Sequence, residues 1–310
     1  MQTLNEYCRR QFGEKLYKLS LNGGMTCPNR DGTLDTRGCI FCSAGGSGDF
    51  APPAQLPVEQ QIEEAKRRVE NKFHGSRYIA YFQSYTNTYA PADRLRELFM
   101  PVITRDDIAV LSIATRPDCL DLDALTVRSD DDADRNACGK SEILKLLGDL
   151  NEIKPVWVEL GLQTSNERTA EYIRRGYKNE VYKEAVRVLN DLGIHVITHI
   201  ILGLPGESEN DMLASVRFAA DCGTGGIKLQ LLHVLAGTDL ALDYENGMFR
   251  TLELEEYLDI LSKCIELLPE NTVVHRLTGD GPKKLLIAPA WSADKKRVLN
   301  AIRARLNLRP

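Results

Sequence analysis

The sequence predicts an α/β fold in which a parallel sheet closes part of a barrel. Three observations lead there. Six short apolar runs alternate with longer helical stretches between residues 16 and 235, and that alternation implies parallel strands joined by right-handed crossovers. The unusual polar residues follow the strands, where barrel enzymes carry their chemistry. They follow every strand and not one reversal point of the strand order, which favours a partial barrel over a doubly wound sheet.

The elements fall in order along the chain. Residues 16–21 read as a strand running straight into a cysteine-bearing loop. A helix over 58–72 sets Ile62, Ala65 and Val69 on one face. Strands are expected at 77–82, 108–114, 156–162, 195–202 and 227–232, with helices at 92–100, 140–151, 179–192 and 211–222 between them. A helix over 252–267 stops at Pro269, and 273–277 is a candidate further strand. The acidic stretch 126–139, with Asp130, Asp131 and Asp132, reads as an exposed insertion. Residues 1–240 are expected to form the core barrel, and 241–310 a small helical, basic extension packed on it.

Composition sets the class. The chain has 310 residues, 43% of them hydrophobic and 27% charged, ordinary for a soluble globular protein with a sizeable core. No apolar run approaches the roughly 20 residues of a membrane helix. The start, Met1 to Glu6, lacks the basic end and apolar centre of a secretory signal. A cytoplasmic location is therefore expected, where the eight cysteines would not pair as disulfides. The net charge is −5, but residues 281–310 carry eight basic side chains against the single acid Asp294. That +7 end, which includes Lys295, Lys296, Arg297 and Trp291, is either a solvated helix face or a grip on a phosphate backbone.

Cys27, Cys39 and Cys42 are spaced C-x11-C-x2-C. Three thiolates can hold three irons of a cubane cluster and leave the fourth iron open, whereas structural zinc takes four protein ligands. No histidine lies within thirty residues of Cys42 to supply a fourth. A zinc site completed by a distant histidine and a redox dithiol at Cys39 and Cys42 are the alternatives.

The strand ends add further candidates. Gln83, Ser84, Tyr85, Thr86, Asn87 and Thr88 offer hydroxyls, amides and a ring to a small polar cofactor. Pro117 holds Arg116 out of the helical region, which turns Thr115, Arg116 and Asp118 to the strand-end face or pairs the last two as a brace. Glu159, Gly161 and Gln163 alternate along one strand and share a face. A glutamate there needs a partner. Gly203 and Gly206, before Glu207, allow close backbone approach. The run Lys228-Leu229-Gln230-Leu231 could line a purine edge, and His233 after it is a ligand or a core histidine.

In this order, the cysteine triplet, Thr115-Arg116-Pro117-Asp118, Glu159-Leu160-Gly161-Leu162-Gln163-Thr164 and Gly203-Leu204-Pro205-Gly206-Glu207 resemble the radical S-adenosylmethionine (SAM) enzymes. The branch is similar to the Elongator catalytic subunit and its short bacterial YhcC/YtqA-type relatives. Cys27-Pro28-Asn29-Arg30-Asp31-Gly32, Tyr85-Thr86-Asn87-Thr88-Tyr89, Arg276-Leu277-Thr278-Gly279-Asp280 and Pro289-Ala290-Trp291 are especially close to the short group. Arg175-Gly176-Tyr177 stands where many relatives have Arg-Gly-His, and the residues after 250 leave no room for Elongator's acetyltransferase domain.

The resemblance implies a partial (β/α)6 TIM-like barrel that uses a [4Fe-4S] cluster and SAM to generate a 5′-deoxyadenosyl radical. It makes Cys27, Cys39 and Cys42 the cluster ligands and has Phe41 shield the cluster. Residues 83–88 would hold the methionine end of SAM, with Thr115, Glu159 and Gln163 on its ribose and polar groups. Gly203 to Gly206 and residues 229–231 would line its adenine, while Arg116 and Glu207 are further candidates. It also implies a flavodoxin- or ferredoxin-like electron donor and a transfer RNA substrate, modified at the 5-substituent of the wobble uridine. The alternatives are a small metabolite or tetrapyrrole substrate, and a non-catalytic zinc-bearing RNA-binding protein.

Overall fold

The computed structural model describes residues 1–46, 48–122, 141–279 and 281–308. Its main sheet contains β1 (Gln2–Thr3), β2 (Tyr17–Leu21), β3 (Tyr78–Phe82), β4 (Ile108–Thr115), β5 (Val156–Gln163), β6 (His195–Leu202), β7 (Gly226–Leu231) and β9 (Val273–Arg276). They are ordered β1-β9-β7-β6-β5-β4-β3-β2, and every pairing is parallel. The sheet curls into a half-barrel whose two edge strands are not joined. β8 (Val234–Leu235) and β10 (Leu286–Ala288) form a separate antiparallel pair.

The strands are apolar and buried almost throughout, as expected where helices cover the outer face of a parallel sheet. Between the strands lie α2 (Val58–Val69), α3 (Ala92–Ile103), α4 (Glu142–Ile153), α5 (Glu167–Tyr172), α6 (Asn179–Asp191) and α7 (Glu209–Asp221). Apart from α5, their apolar faces meet the sheet in one continuous core, where Phe82 and Phe99 pack edge to face at 5.0 Å. Ser208 and Asp211 close a capping box that starts α7.

The other end of the half-barrel is plugged by α1 (Leu4–Phe12), which starts on a Thr3–Glu6 capping box and stops at Gly13 in the left-handed region. It delivers Tyr7 and Cys8 against Trp157, where His195 and His275 also pack. Opposite this plug, the strand ends open toward the cysteine loop.

The six strands expected between residues 16 and 235 all form, within a residue or two. The candidate strand at 273–277 enters the sheet as β9, hydrogen-bonded between β7 and β1. The structure adds β1, a two-residue segment too short for periodicity to reveal. The acidic insertion expected at 126–139 lies outside the described residues. Among the described residues, no helix is long and apolar enough to cross a membrane. The C-terminal segment supplies α8 (Asp239–Glu245), α9 (Leu254–Glu266) and α10 (Lys295–Arg305).

Candidate active site

The loop after β2 folds back on itself through its own backbone. Arg30 N–H donates to Cys27 O at 2.8 Å, Gly38 N–H to Asn29 O at 2.7 Å and Cys42 N–H to Cys39 O at 3.0 Å. The Arg30 guanidinium holds the carbonyls of Cys42 and Ser43 at 2.9 and 2.8 Å. Asn29 Nδ2 bridges the loop to the barrel, donating to Arg174 O at 2.6 Å and to Cys39 Sγ at 3.4 Å. The result is three half-buried free thiols on one wall of a cavity. Burial and the neighbouring Cys42 thiol push the Cys39 thiol up to about 12. No three His, Cys, Asp or Glu side chains among the described residues form a group able to hold a metal ion. Separate thiols on one wall suit separate corners of a cluster.

Phe41, Gln83, Thr86, Thr115, Arg116, Glu159, Gln163 and Gln230 line the same cavity. Gln163 is held at φ 65°, a left-handed backbone rare for a side-chain-bearing residue. Its Oε1 is buried without a hydrogen-bond partner. Gly161 makes room for it, since a Cβ there would lie 2.7 Å from Gln163 Nε2. Strain and an unpartnered acceptor on the cavity wall fit a ligand that donates a hydrogen bond there. Thr115 Oγ1 meets Thr88 Oγ1 at 2.5 Å. Arg116 grips Asp118 through two bonds of 2.9 and 2.7 Å. That is the brace the sequence allowed, and it lays the guanidinium 4.9 Å from the centre of the Tyr177 ring.

Other candidates stand elsewhere. Leu229 is fully buried in the main core, because strand alternation sends Lys228 and Gln230 inward and Leu229 outward. Gly203 and Gly206 do not line the cavity. Both serve turns at φ 88° and 80°, and Gly203 backs onto Leu252. Ser84 is buried beside Gly48 with its Oγ unpartnered. Glu207 accepts from Thr164 Oγ1 behind β5, where burial pushes its carboxyl up to about 7.

The floor of the cavity is a charged network centred on Glu159, which is 1% exposed. Its Oε1 accepts from Lys18 Nζ at 2.7 Å and Ser112 Oγ at 2.8 Å. Its Oε2 accepts from His199 Nε2 at 2.7 Å and from Lys228 Nζ. Lys228 also donates to Tyr81 OH at 3.1 Å. Burial opposes ionisation of Glu159, but Lys18, Lys228 and His199 hold its carboxyl well below the usual range. Burial, aided by Lys228, brings His199 down to about 4 despite its bond to Glu159. Neutral His199 thus donates from Nε2 and offers Nδ1 to Gln230 Nε2 at 3.5 Å.

Residues 36–219 match the Radical SAM superfamily model, and 224–307 match the Radical_SAM C-terminal domain. The chain belongs to the radical SAM superfamily. It is 43% identical over 307 residues to YtqA of Bacillus subtilis, covering 99% of this chain and 89% of YtqA. It is 27% identical over 153 residues to a tRNA uridine(34) acetyltransferase of Methanocaldococcus jannaschii, covering 48% of this chain and 28% of that protein. The archaeal Elp3 of Methanocaldococcus infernus shares the fold, with TM-score 0.63 and 16% identity over 95% of this chain and 64% of that chain. A [4Fe-4S] cluster and SAM are the cofactors of this radical SAM enzyme. Its residues fit both, with three thiols on one wall and an unpartnered Gln163 acceptor beside them.

Lys18, Tyr81 and His199 are not among the sequence-derived candidates, and Lys228 and Arg276 enter there only within longer motifs, without a role for their side chains. Lysines at positions 18 and 228, inside otherwise apolar strands, were the available signal, since the expected partner of Glu159 had to carry positive charge. Two outcomes test the site. Replacing Cys27, Cys39 or Cys42 with Ala abolishes deoxyadenosine formation under dithionite and lowers the iron content of reconstituted protein; retained cleavage refutes the ligand set. Glu159→Gln leaves buried cations uncompensated and costs roughly 3–5 kcal/mol in urea unfolding. A loss under about 0.5 kcal/mol, typical of a surface change, would contradict the network's role.

Proposed function

We propose that this radical SAM enzyme modifies the 5-substituent of a transfer RNA wobble uridine. The observation that carries the reading is the match to tRNA uridine(34) acetyltransferases, proteins whose name specifies that nucleotide. Because the chain spans only a minor part of them, their acetyl transfer is not carried over. When bound, the cluster and SAM supply a 5′-deoxyadenosyl radical that takes hydrogen from the substrate. Cys27, Cys39 and Cys42 would hold the cluster, Gln163 would accept a hydrogen bond from a hydroxyl of SAM, and Phe41 would keep water from the cluster. A small flavodoxin- or ferredoxin-like protein delivers the electron.

The C-terminal helix supports an RNA partner. Val298 and Ile302 of α10 are buried, while Lys296, Arg297 and Arg303 stand exposed. Arg305 is tied to Glu255 at 2.6 Å and to Asp259, which fixes the helix on α9. Trp291, by contrast, is a structural anchor. Its Nε1–H donates to Leu252 O at 3.0 Å and its ring packs on Tyr257, so it is not available to stack on a base.

Nucleoside profiling of transfer RNA from a deletion strain tests the reading directly. A changed wobble-uridine derivative is expected, and an unchanged profile would sink the proposal. Lys296→Gln, Arg297→Gln and Arg303→Gln together make the dependence of log affinity for transfer RNA on log salt shallower by about 2. An unaltered slope means that α10 does not touch phosphate.

A further inference from the structure

The basic side chains around the cavity exceed the acids available to balance them. Arg30, Arg116, Arg175, Lys228 and Arg276 line it, against Glu159 as the one carboxylate among the described residues of the lining. Three of these cations are spent on the protein. Arg30 holds two carbonyls of the cysteine loop. Arg116 holds Asp118. Arg175 donates to the carbonyls of Leu162, Thr164 and Tyr177 at 3.1, 2.7 and 2.7 Å.

The far side of the cavity is different. Sheet register sets His199 beside Lys228, and Lys228 beside Arg276. Three basic side chains from β6, β7 and β9 therefore stand abreast on one face. Lys228 and Lys18 share Glu159. The Arg276 guanidinium makes no hydrogen bond or ion pair with any described residue, although the side chain is partly buried and lines the cavity. A guanidinium offers five donors in a planar fork that matches a carboxylate through two parallel bonds. Leaving that partly buried fork unfilled beside the buried Lys228 is unfavourable.

We propose that Arg276, backed by Lys228, receives a terminal carboxylate carried by the substrate. The proposal rests on the wobble-uridine reading above and assigns an acidic 5-substituent to that nucleotide. A carboxylate at the tip of a slender substituent can reach a floor where Lys228 is 2% exposed. The two bonds to Arg276 fix the substituent's outer end, so the carbon that loses hydrogen is presented toward the cysteine side of the cavity.

The test is calorimetric binding to anaerobically reconstituted holoenzyme saturated with SAM. The probes are 5-carboxymethyluridine and its neutral isostere 5-carbamoylmethyluridine, with sodium acetate and inorganic phosphate as competitors. The wild type is expected to prefer the acid at least tenfold. Arg276→Gln should remove that preference while keeping amide affinity, SAM affinity and iron content, and Arg276→Lys should restore part of it. Equal affinity for acid and amide in the wild type overturns the proposal. So does a loss of SAM affinity in Arg276→Gln, which would place the carboxylate of SAM on this fork, or competition by phosphate stronger than by acetate. Acetate binding that depends on Arg276, with neither nucleoside bound, supports the anion site and overturns the uridine reading. No binding by any probe overturns both.

Discussion

One buried carboxylate organises the interior of this protein. Glu159 accepts from Lys18 on β2, Ser112 on β4, His199 on β6 and Lys228 on β7, and Lys228 reaches on to Tyr81 of β3. With Glu159 itself on β5, six neighbouring strands of the half-barrel are tied to a single group. Such a network is stable only while every member is satisfied, because desolvating an unpaired charge costs several kcal/mol. The curl of the sheet and the charge balance of its interior therefore stand or fall together.

This node also divides labour between the two faces of the sheet. The outer face is apolar and packs on helices, as in any parallel sheet covered by crossovers. In a closed barrel the inner face is also filled by branched apolar side chains. Here it is polar around Glu159, and the open half-barrel leaves a cavity above it. Loops then finish the cavity. The cysteine loop is bound by Asn29 to the Arg174 carbonyl, and Tyr85 covers Gly46 with its OH donating to Ala44 O at 2.5 Å. Tyr85 and Gln163 both sit at positive φ, strain that persists because the packed loops over-determine it.

The C-terminal segment is not a passive appendage. It contributes β9 to the sheet and, with it, Arg276 to the cavity. It also carries α10, which keeps its apolar stripe against the core and its basic residues outward. One stretch of chain thus supplies both a charge at the base of the cavity and a charged outer surface.

The sequence by itself determined the six central strands, five of the six α-helices described between them, the cysteine triplet and the demand that Glu159 find a partner; the short α5 gave no periodic signal. These are local properties, set by apolar periodicity, by spacing and by the cost of burying a charge. Tertiary structure alone decided which residues answered that demand, because Lys18 and Lys228 lie 141 and 69 residues away along the chain. It likewise decided that Leu229, Gly203 and Gly206 stand outside the cavity, that Trp291 anchors a turn, and that Arg276 enters. Strand order and register bring distant side chains onto one face, and neither is written in any single stretch of sequence.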